Sequence, residues 1–390
     1  MKALPIVFAA VPATIALRLG LLGDHMDGGK QTMEEHSTFG GPSPRQDGRC
    51  GINQGKRACP KGYCCSIEGS VQTQTCLRHT LGLLLTLLSV LRIRWCGEGY
   101  DYCSSPACQV DFSDSCDGNI RPSGPDTKHA DRSKHGSVPY GQGVYHCEKY
   151  GVIALSYDDG PYEYTADLLN LLKARYYLST DARHIFTHIT CSDPSTNLDK
   201  TYKAKATFFV TGRNLGKGAI NNATFPWRHL IKRMIVEGHQ IGSHSWSHQR
   251  LPEISDAQLD NQIFYNEIAL ADILGYFPTY FRPPYSASSD KVDRRLGELG
   301  YHVTYFNLDT EGYLHDSPYE IQKSKDIWDR NVEGKNPENT KWLDIEHDIV
   351  FQSVYNLTEH MLKSLFKNGF KSVTVGECLN DPKQNWYRRV

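Results

Sequence analysis

The sequence lacks the features that mark several classes of protein. Neither sign of charge predominates, because 43 lysines and arginines stand against 44 aspartates and glutamates, so a nucleic-acid partner is not expected. No apolar run is long enough to predict a membrane span, and no internal repeat predicts a solenoid. For 390 residues, the class that remains is a globular chain of two or three domains.

The first 17 residues indicate export. Met1 and Lys2 precede a short apolar stretch, residues 3–17, which has small residues near its end, as in a signal peptide. Residues 18–48 are polar and rich in glycine, and we predict them to be disordered. The expected location is therefore secreted, either extracellular or in a cell wall.

Cysteine is the residue type in excess. Nine of the 12 cysteines fall between Cys50 and Cys116, which predicts a small disulfide-rich module over residues 49–117 in an oxidising compartment. Repeated Cys-x-x-Cys pairs are missing there, so a zinc cluster is disfavoured. Residues 118–146 carry Gly, Pro, Ser and charge without an apolar pattern, and we predict a linker.

From residue 147 to residue 388, short β-type runs alternate with amphipathic helices. This alternation predicts an α/β fold with a parallel sheet, and about seven strands favour a distorted barrel over a wide open sheet. The predicted strands are 152–157, 205–211, 239–243, 279–282, 302–308, 345–351 and 371–375, and the predicted helices are 165–174, 226–237, 256–275, 289–299, 318–331 and 353–368. Ser255 with Gln258, and Ser317 with Glu320, are candidate capping boxes at two helix starts.

Two short motifs carry candidate metal ligands. Asp158 and Asp159 follow the first barrel strand, where one carboxylate can bind a metal while its neighbour faces a water. His244 and His248 converge if their segment makes one helical turn, and neutral imidazoles bind zinc. Each motif alone has an ordinary alternative: a turn after a strand, or two surface histidines beside a buried Trp246.

Three further motifs follow later strands. Arg282 is permanently charged and can hold a carboxylate ionised, and the prolines after it can fix the N–H of Tyr285 as an oxyanion donor. The fourth motif, DTEGY, spans residues 309–313. The fifth, LDIEHDI, contains His347, a residue type that can protonate a leaving amine near neutral pH.

In this order, DDGP, HSWSH, RPPY, DTEGY and IEHDI resemble the five motifs of the polysaccharide deacetylase family, over roughly residues 147–388. The resemblance implies a distorted (β/α) barrel and a divalent metal, with zinc preferred and cobalt as the alternative. It assigns the metal ligands as Asp159, His244 and His248, the general base as Asp158, its tether as Arg282, the oxyanion donor as Tyr285 and the general acid as His347. The segments WLDIEHDI and SVTVGECLNDP resemble those of fungal chitin deacetylases, so the expected partner is chitin or another N-acetylglucosamine polymer. The expected reaction converts chitin to chitosan and acetate.

One position departs from the family pattern. The fourth motif usually has an aspartate directly before its aromatic residue, and that aspartate orients the acid histidine. Here Gly312 precedes Tyr313. Asp309 and Glu311 are the two candidates to supply a carboxylate to His347.

The cysteine-rich module resembles a hevein-type chitin-binding domain once Cys76 is set aside, above all in Cys64-Cys65 followed by Ser66. The resemblance implies that Ser66 bonds a sugar acetamide and that Trp95 and Tyr102 stack on sugar faces. Glu68 stands where the family usually has another aromatic residue, which predicts weaker binding. A generic disulfide-rich extracellular module is the alternative.

Cys147 and Cys378 stand just before the first barrel strand and just after the last. These two places are close together in a closed barrel. We therefore predict a disulfide between them.

Two segments, residues 71–94 and 176–200, match neither family. Each contains one cysteine without an evident partner, Cys76 in the first and Cys191 in the second. The segment boundaries permit splice-site codons, so we predict that both are translated introns. Real surface loops, or a disulfide between the two cysteines, are the alternatives.

Two other functions compete with chitin deacetylation. One is deacetylation of another polysaccharide, such as peptidoglycan or acetylated xylan, and the hevein-like module argues against xylan. The other is an inactive, lectin-like protein that masks chitin. The intact set of metal ligands argues against this second function.

Overall fold

The computed structural model describes residues 49–67, 95–174 and 203–390. The predicted signal peptide, the predicted disordered segment 18–48 and Glu68 lie outside these ranges. So do the two suspected intron segments with Cys76 and Cys191. Within the described ranges, no helix has both the length and the apolar character needed to cross a membrane.

The N-terminal module is held by disulfides around a two-stranded antiparallel sheet. Strand β1 (Cys64–Ser66) pairs with β2 (Trp95–Gly97), and a short helix, α1 (Tyr100–Cys103), follows. The eight cysteines of the predicted set form four bonds: Cys50–Cys65, Cys59–Cys96, Cys64–Cys103 and Cys108–Cys116. These bonds compensate for the small apolar core that so short a module can bury.

The C-terminal part is a parallel β/α barrel. Its strands are β3 (Gly143–Val144), β4 (Val152–Ala154), β5 (Ser156–Asp158), β6 (Thr207–Val210), β7 (Gln240–Ser243), β9 (Tyr280–Phe281), β10 (His302–Thr304), β11 (Leu308–Asp309), β12 (Trp342–His347) and β13 (Lys371–Val373). The order is β13-β4-β12-β5-β6-β7-β9-β10-β3, with β11 beside β12, and all pairs are parallel. The predicted fold class is confirmed. The strand count is higher than predicted, because 152–157 and 302–308 each divide into two short strands and β3 was not foreseen.

The helices cover the outside of the sheet. They are α2 (Thr165–Lys173), α3 (Trp227–Val236), α4 (Asp256–Leu274), α5 (Asp290–Glu298), α6 (Ile321–Val332), α7 (Thr358–Lys367) and α8 (Val375–Cys378). Ser255 caps α4 as predicted, accepting the N–H of Gln258. The second predicted capping box is wrong, because the Ser317 hydroxyl bonds the Glu320 carboxylate and α6 begins only at Ile321.

A small antiparallel pair lies apart from the barrel sheet. Strand β8 (Tyr276–Pro278) follows α4 and pairs with β14 (Tyr387–Arg389) at the end of the chain. The Tyr387 hydroxyl accepts the N–H of Ile241 in β7. The pair therefore fastens the last described residues to the barrel.

The segment predicted as a linker, residues 118–146, belongs to the barrel instead. Its strand β3 pairs with β10, and Val138 and Val144 are buried. Arg132 forms a bidentate ion pair with the buried Glu267, at 2.7 and 2.8 Å. Glycine and proline in this segment form turns between fixed contacts, so the composition that predicted a flexible linker was misleading.

The disulfide predicted between Cys147 and Cys378 is present. Cys147 lies between β3 and β4, and Cys378 lies in α8, just after β13. The backbone N–H groups of Glu148 and Lys149 also bond the carbonyl oxygen of Cys378. The beginning and the end of the barrel domain are thus joined.

Residues on either side of the two suspected introns are in direct contact. Ser66 pairs with Trp95 across β1 and β2, and the N–H of Ala204 donates to the carbonyl of Leu172 at 3.2 Å. We expect a chain lacking 71–94 and 176–200 to keep all five disulfides and to melt no lower than the full chain. Calorimetry and a non-reducing peptide map check this. A transcript that retains both segments after splicing would refute the intron hypothesis.

Candidate active site

The carboxyl ends of neighbouring parallel strands bring the predicted residues together. His347 at the end of β12 is in register with Asp158 at the end of β5. Ser243 of β7 pairs with Phe281 of β9, so the residues that follow them, His244 and Arg282, are neighbours. In a β/α barrel this is the end where functional side chains gather.

Asp159, His244 and His248 form a candidate metal centre. Their ligand atoms all lie within 4.8 Å of one another. The Nε2 atoms of His248 and His244 lie 3.0 and 3.6 Å from Asp159 Oδ1. The Nδ1 of His244 lies 2.7 Å from the carbonyl oxygen of Arg282. That carbonyl can only accept, so the His244 proton sits on Nδ1 and the Nε2 lone pair faces the carboxylate.

The ionisation states of this trio, Asp159, His244 and His248, determine whether it can bind a metal. Burial lowers the pKa of His244 to about 4, so the ring is neutral near neutral pH. Burial opposes the ionisation of Asp159, but attraction by the neighbouring histidines in their protonated forms, His248 first, outweighs it and places the pKa of Asp159 well below its usual value. A neutral imidazole and an ionised carboxylate are the forms that bind metals.

The residues present fit a divalent cation. Asp159 Oδ1 is buried, and no hydrogen-bond donor among the described residues is directed at it. Imidazole lone pairs facing a carboxylate repel it unless a cation lies between them. Two nitrogens and one oxygen form a ligand set that zinc accepts in catalytic sites, with a position left for water.

Asp158 is held beside the trio by Arg282. One guanidinium nitrogen donates to Asp158 Oδ1 at 2.7 Å and to Ser156 Oγ at 2.8 Å, and the other terminal nitrogen donates to the Tyr305 carbonyl at 3.0 Å. Arg282 is fully buried. Asp158 Oδ2 remains on the side of the trio, 3.7 Å from His244 Nε2. The carboxylate is fixed in orientation while one oxygen is free to accept a proton.

His347 lies in the same site, at the end of β12. Its Nδ1 is buried and has no partner among the described residues. Tyr313 contacts it edge to face, with ring centroids 5.2 Å apart, and the Tyr313 hydroxyl donates to Asp309 Oδ2 at 3.3 Å. Burial raises the pKa of Asp309, and the attraction of His347 is among the effects that oppose the rise. Of the two residues that could supply a carboxylate to His347, Asp309 is the one near it, whereas Glu311 is exposed.

The space beside Gly312 is filled by other residues. A Cβ at this position would lie 2.4 Å from Ser353 Oγ and 2.8 Å from a carboxylate oxygen of Glu346. Glu346 is buried and accepts hydrogen bonds from Thr310 and Ser353. The usual aspartate therefore has no room at position 312 in this chain.

Left-handed backbone conformations recur in the site loops. The φ angles of Asp159, Ser245, His248, Tyr285 and Glu311 lie between 54° and 77°. Residues other than glycine rarely adopt these angles, which cost free energy and are maintained where function needs a particular orientation. Tyr285, the predicted oxyanion donor, packs its ring edge on His248 with centroids 4.5 Å apart.

Two charged residues near the trio were missed from the sequence. Lys217 is buried and donates to the Asp159 carbonyl at 2.9 Å. Asp348 accepts from Thr165 at 2.6 Å, and a Cβ on Gly160 would lie 1.8 Å from its carboxylate, so only glycine fits there. Burial lowers the pKa of Lys217 and raises that of Asp348. Asp348 lies within the fifth motif, whereas no sequence signal marked Lys217.

The predicted sugar-binding residues of the module have different surroundings. Ser66 is fully buried in β1. Trp95 is half-buried beneath the guanidinium of Arg49, 5.6 Å from the ring centroid. Tyr102 is also half-buried, with its ring against Gly97. The disulfide-rich character is confirmed, and the hevein-like binding role stays a prediction.

Comparison with known proteins gives concordant matches. Residues 194–304 match the polysaccharide deacetylase family. A chitin deacetylase of Colletotrichum lindemuthianum is 33% identical over 64% of this chain and 88% of its own length. A chitin deacetylase from a Pestalotiopsis species is 33% identical over 66% of this chain and 73% of its own length. A third, from Arthroderma benhamiae, is 33% identical over 65%, but the chain spans only 58% of that protein. The solved structure of the Colletotrichum enzyme superposes with a TM-score of 0.52, covering 64% of this chain and 96% of that one.

A metal trio beside a tethered carboxylate, at the carboxyl end of a parallel β/α barrel, defines the class of metal-dependent hydrolases. The chain belongs to the polysaccharide deacetylase family. Asp159, His244 and His248 are a group among the described residues that could hold a divalent metal ion.

Proposed function

We propose that this chain is a hydrolase of linear amide C–N bonds that removes acetyl groups from the N-acetylglucosamine units of chitin, with zinc as its metal. The observation that carries the proposal is the tethered pair Asp158 and Arg282 placed against the trio of Asp159, His244 and His248. Three relatives about one-third identical to the chain are named chitin deacetylases, which supports chitin as the substrate.

The bound metal supplies Lewis acidity for the acetyl carbonyl and for a water. The chain supplies the proton transfers. Asp158 Oδ2 takes a proton from the water, whose oxygen forms a bond to the acetyl carbon. The Tyr285 N–H donates to the oxygen on which negative charge develops. His347 gives a proton to the sugar nitrogen as the C–N bond breaks, and acetate leaves.

The proposed location of the protein is extracellular. Five disulfides among the described residues indicate an oxidising, extracellular setting. The fungal relatives support this setting. The apolar stretch 3–17 acts, on this proposal, as the signal peptide that directs export.

Metal depletion tests the proposed function. Chelation should reduce acetate release from partly acetylated chitin by at least about a thousandfold, because both the Lewis acid and the activated water are lost. Added zinc should restore the release. Metal-independent binding of chitin without any acetate release would instead support the lectin-like alternative, and release only from peptidoglycan would reassign the substrate.

A further inference from the structure

The disulfide-rich module is docked against the barrel through a continuous set of polar contacts. Asp111 accepts both the N–H and the hydroxyl of Ser255, at the start of α4. The Gln258 side chain donates to the Val110 carbonyl at 3.1 Å and to Asn119 at 2.8 Å. A module held at so many points cannot turn independently of the barrel.

Several of these contacts fall on the loop that carries the metal ligand His248. The residue before it, Ser247, lies against Gly118, which directly follows the module; a Cβ added there would lie 2.5 Å from the Ser247 hydroxyl and 2.8 Å from the hydroxyl of Ser105 in the module. The residue after it, Gln249, donates its amide to the Pro106 carbonyl at 3.3 Å. The module therefore borders the active site.

Tyr100 is an aromatic residue of the module that contacts the barrel close to the candidate site and keeps an exposed surface. It is 65% exposed, whereas Tyr102 is half-buried. Its ring lies against Gly216, and its hydroxyl donates to the Leu215 carbonyl at 3.4 Å. The next residue in that loop, Lys217, is the one bonded to the carbonyl of Asp159.

A second exposed surface continues from Tyr100. Tyr162 follows the first motif directly and is partly exposed. Burial, with smaller contributions from Glu163 and Tyr100, raises the pKa of Tyr162, which indicates that the two hydroxyls are within electrostatic range. Tyr162 packs edge to face on Tyr164, with centroids 6.3 Å apart. Aromatic faces of this kind suit the apolar faces of sugar rings.

We propose that the module is a fixed wall of the catalytic cleft, in which Tyr100 binds a sugar unit of the same N-acetylglucosamine chain whose acetyl group lies at the metal. This proposal rests on the proposed function and adds a subsite to it. A module tethered by a flexible linker would bind insoluble chitin but would not contact the sugars next to the reacting one. The docked segment 118–146 and the contacts around His248 favour a fixed module over one on a flexible linker.

The test uses the full chain and compares its kinetics on a short soluble substrate, a long soluble substrate and insoluble chitin. Tyr100→Ala should raise KM for the N-acetylglucosamine hexamer about three- to tenfold, the loss expected for one aromatic contact. It should leave kcat and the kinetics on the dimer unchanged. Tyr100→Phe should retain the wild-type KM, because the ring is kept. Tyr319→Ala is the matched control, since Tyr319 is 94% exposed and belongs to the barrel.

Three outcomes separate the hypotheses. Equal effects on dimer and hexamer, or no effect on either, would overturn the subsite. A loss seen only on insoluble chitin would also overturn it, because a tethered anchor predicts that result. A wild-type chain that releases no acetate from any of these substrates would refute the proposed function instead.

Discussion

Replacing Asp158 by asparagine should lower kcat by about a thousandfold while the metal stays bound, a loss in the range that removal of a general base produces. The amide has nearly the same shape and can still accept the hydrogen bond from Arg282. It cannot take a proton from water. Acetate release measured together with bound zinc per chain separates the two effects.

His244→Ala is the matched comparison for that variant. It removes one of the three proposed ligand atoms and leaves His248 as the one remaining imidazole of the set facing Asp159. Both bound zinc and turnover should be lost. If Asp158→Asn kept near-normal turnover with zinc in place, Asp158 would not be the base.

The proposed catalytic residues could be predicted from the sequence because each follows a strand. Asp158, His244, Arg282 and His347 all come at or just after the end of a parallel strand. Parallel pairing brings those ends to one edge of the barrel, so local motifs suffice to predict a shared site. The disulfide between Cys147 and the segment after β13 follows from the same closure.

Contacts between distant segments could not be predicted in this way. Lys217 lies in an irregular loop, and only the fold places its amine on the Asp159 carbonyl. The bidentate pair of Arg132 with Glu267 links positions 135 residues apart, so the composition of 118–146 gave no sign that it is fixed. The exposure of Tyr100, and the burial of Ser66, depend on how the module packs.

The fourth motif departs from the family pattern at Gly312, and residues of the fifth motif and the segment after it lie beside that position. Gly312 leaves room that Glu346 and Ser353 occupy. Tyr313 connects Asp309 with His347, because its hydroxyl donates to Asp309 and its ring contacts the His347 ring edge to face. A sequence alone shows the missing aspartate. The structure places Asp309, three residues earlier in the same motif, near His347, but the buried Nδ1 of His347 has no hydrogen-bond partner among the described residues.

Arg282 should be the residue whose loss most reduces stability. It is fully buried, and its ion pair with Asp158 is enclosed, with both side chains almost inaccessible. Removing one partner of such a pair leaves a buried charge without compensation, which typically costs about 3–5 kcal/mol. The same loss frees the Asp158 carboxylate to leave its catalytic orientation.

Arg282→Met should therefore lower the melting temperature by about 10 °C and reduce turnover strongly. Adding Asp158→Asn should recover part of the melting temperature, because a neutral amide replaces the unpaired charge, while turnover stays lost. Calorimetry on the two single variants and the double variant measures this coupling. Arg294→Met, at an exposed arginine of the same domain, is the control and should melt like the wild type. Strictly additive losses of melting temperature in the double variant would show that the two side chains do not act as a buried pair. The role of Arg282 in holding Asp158 would then be refuted.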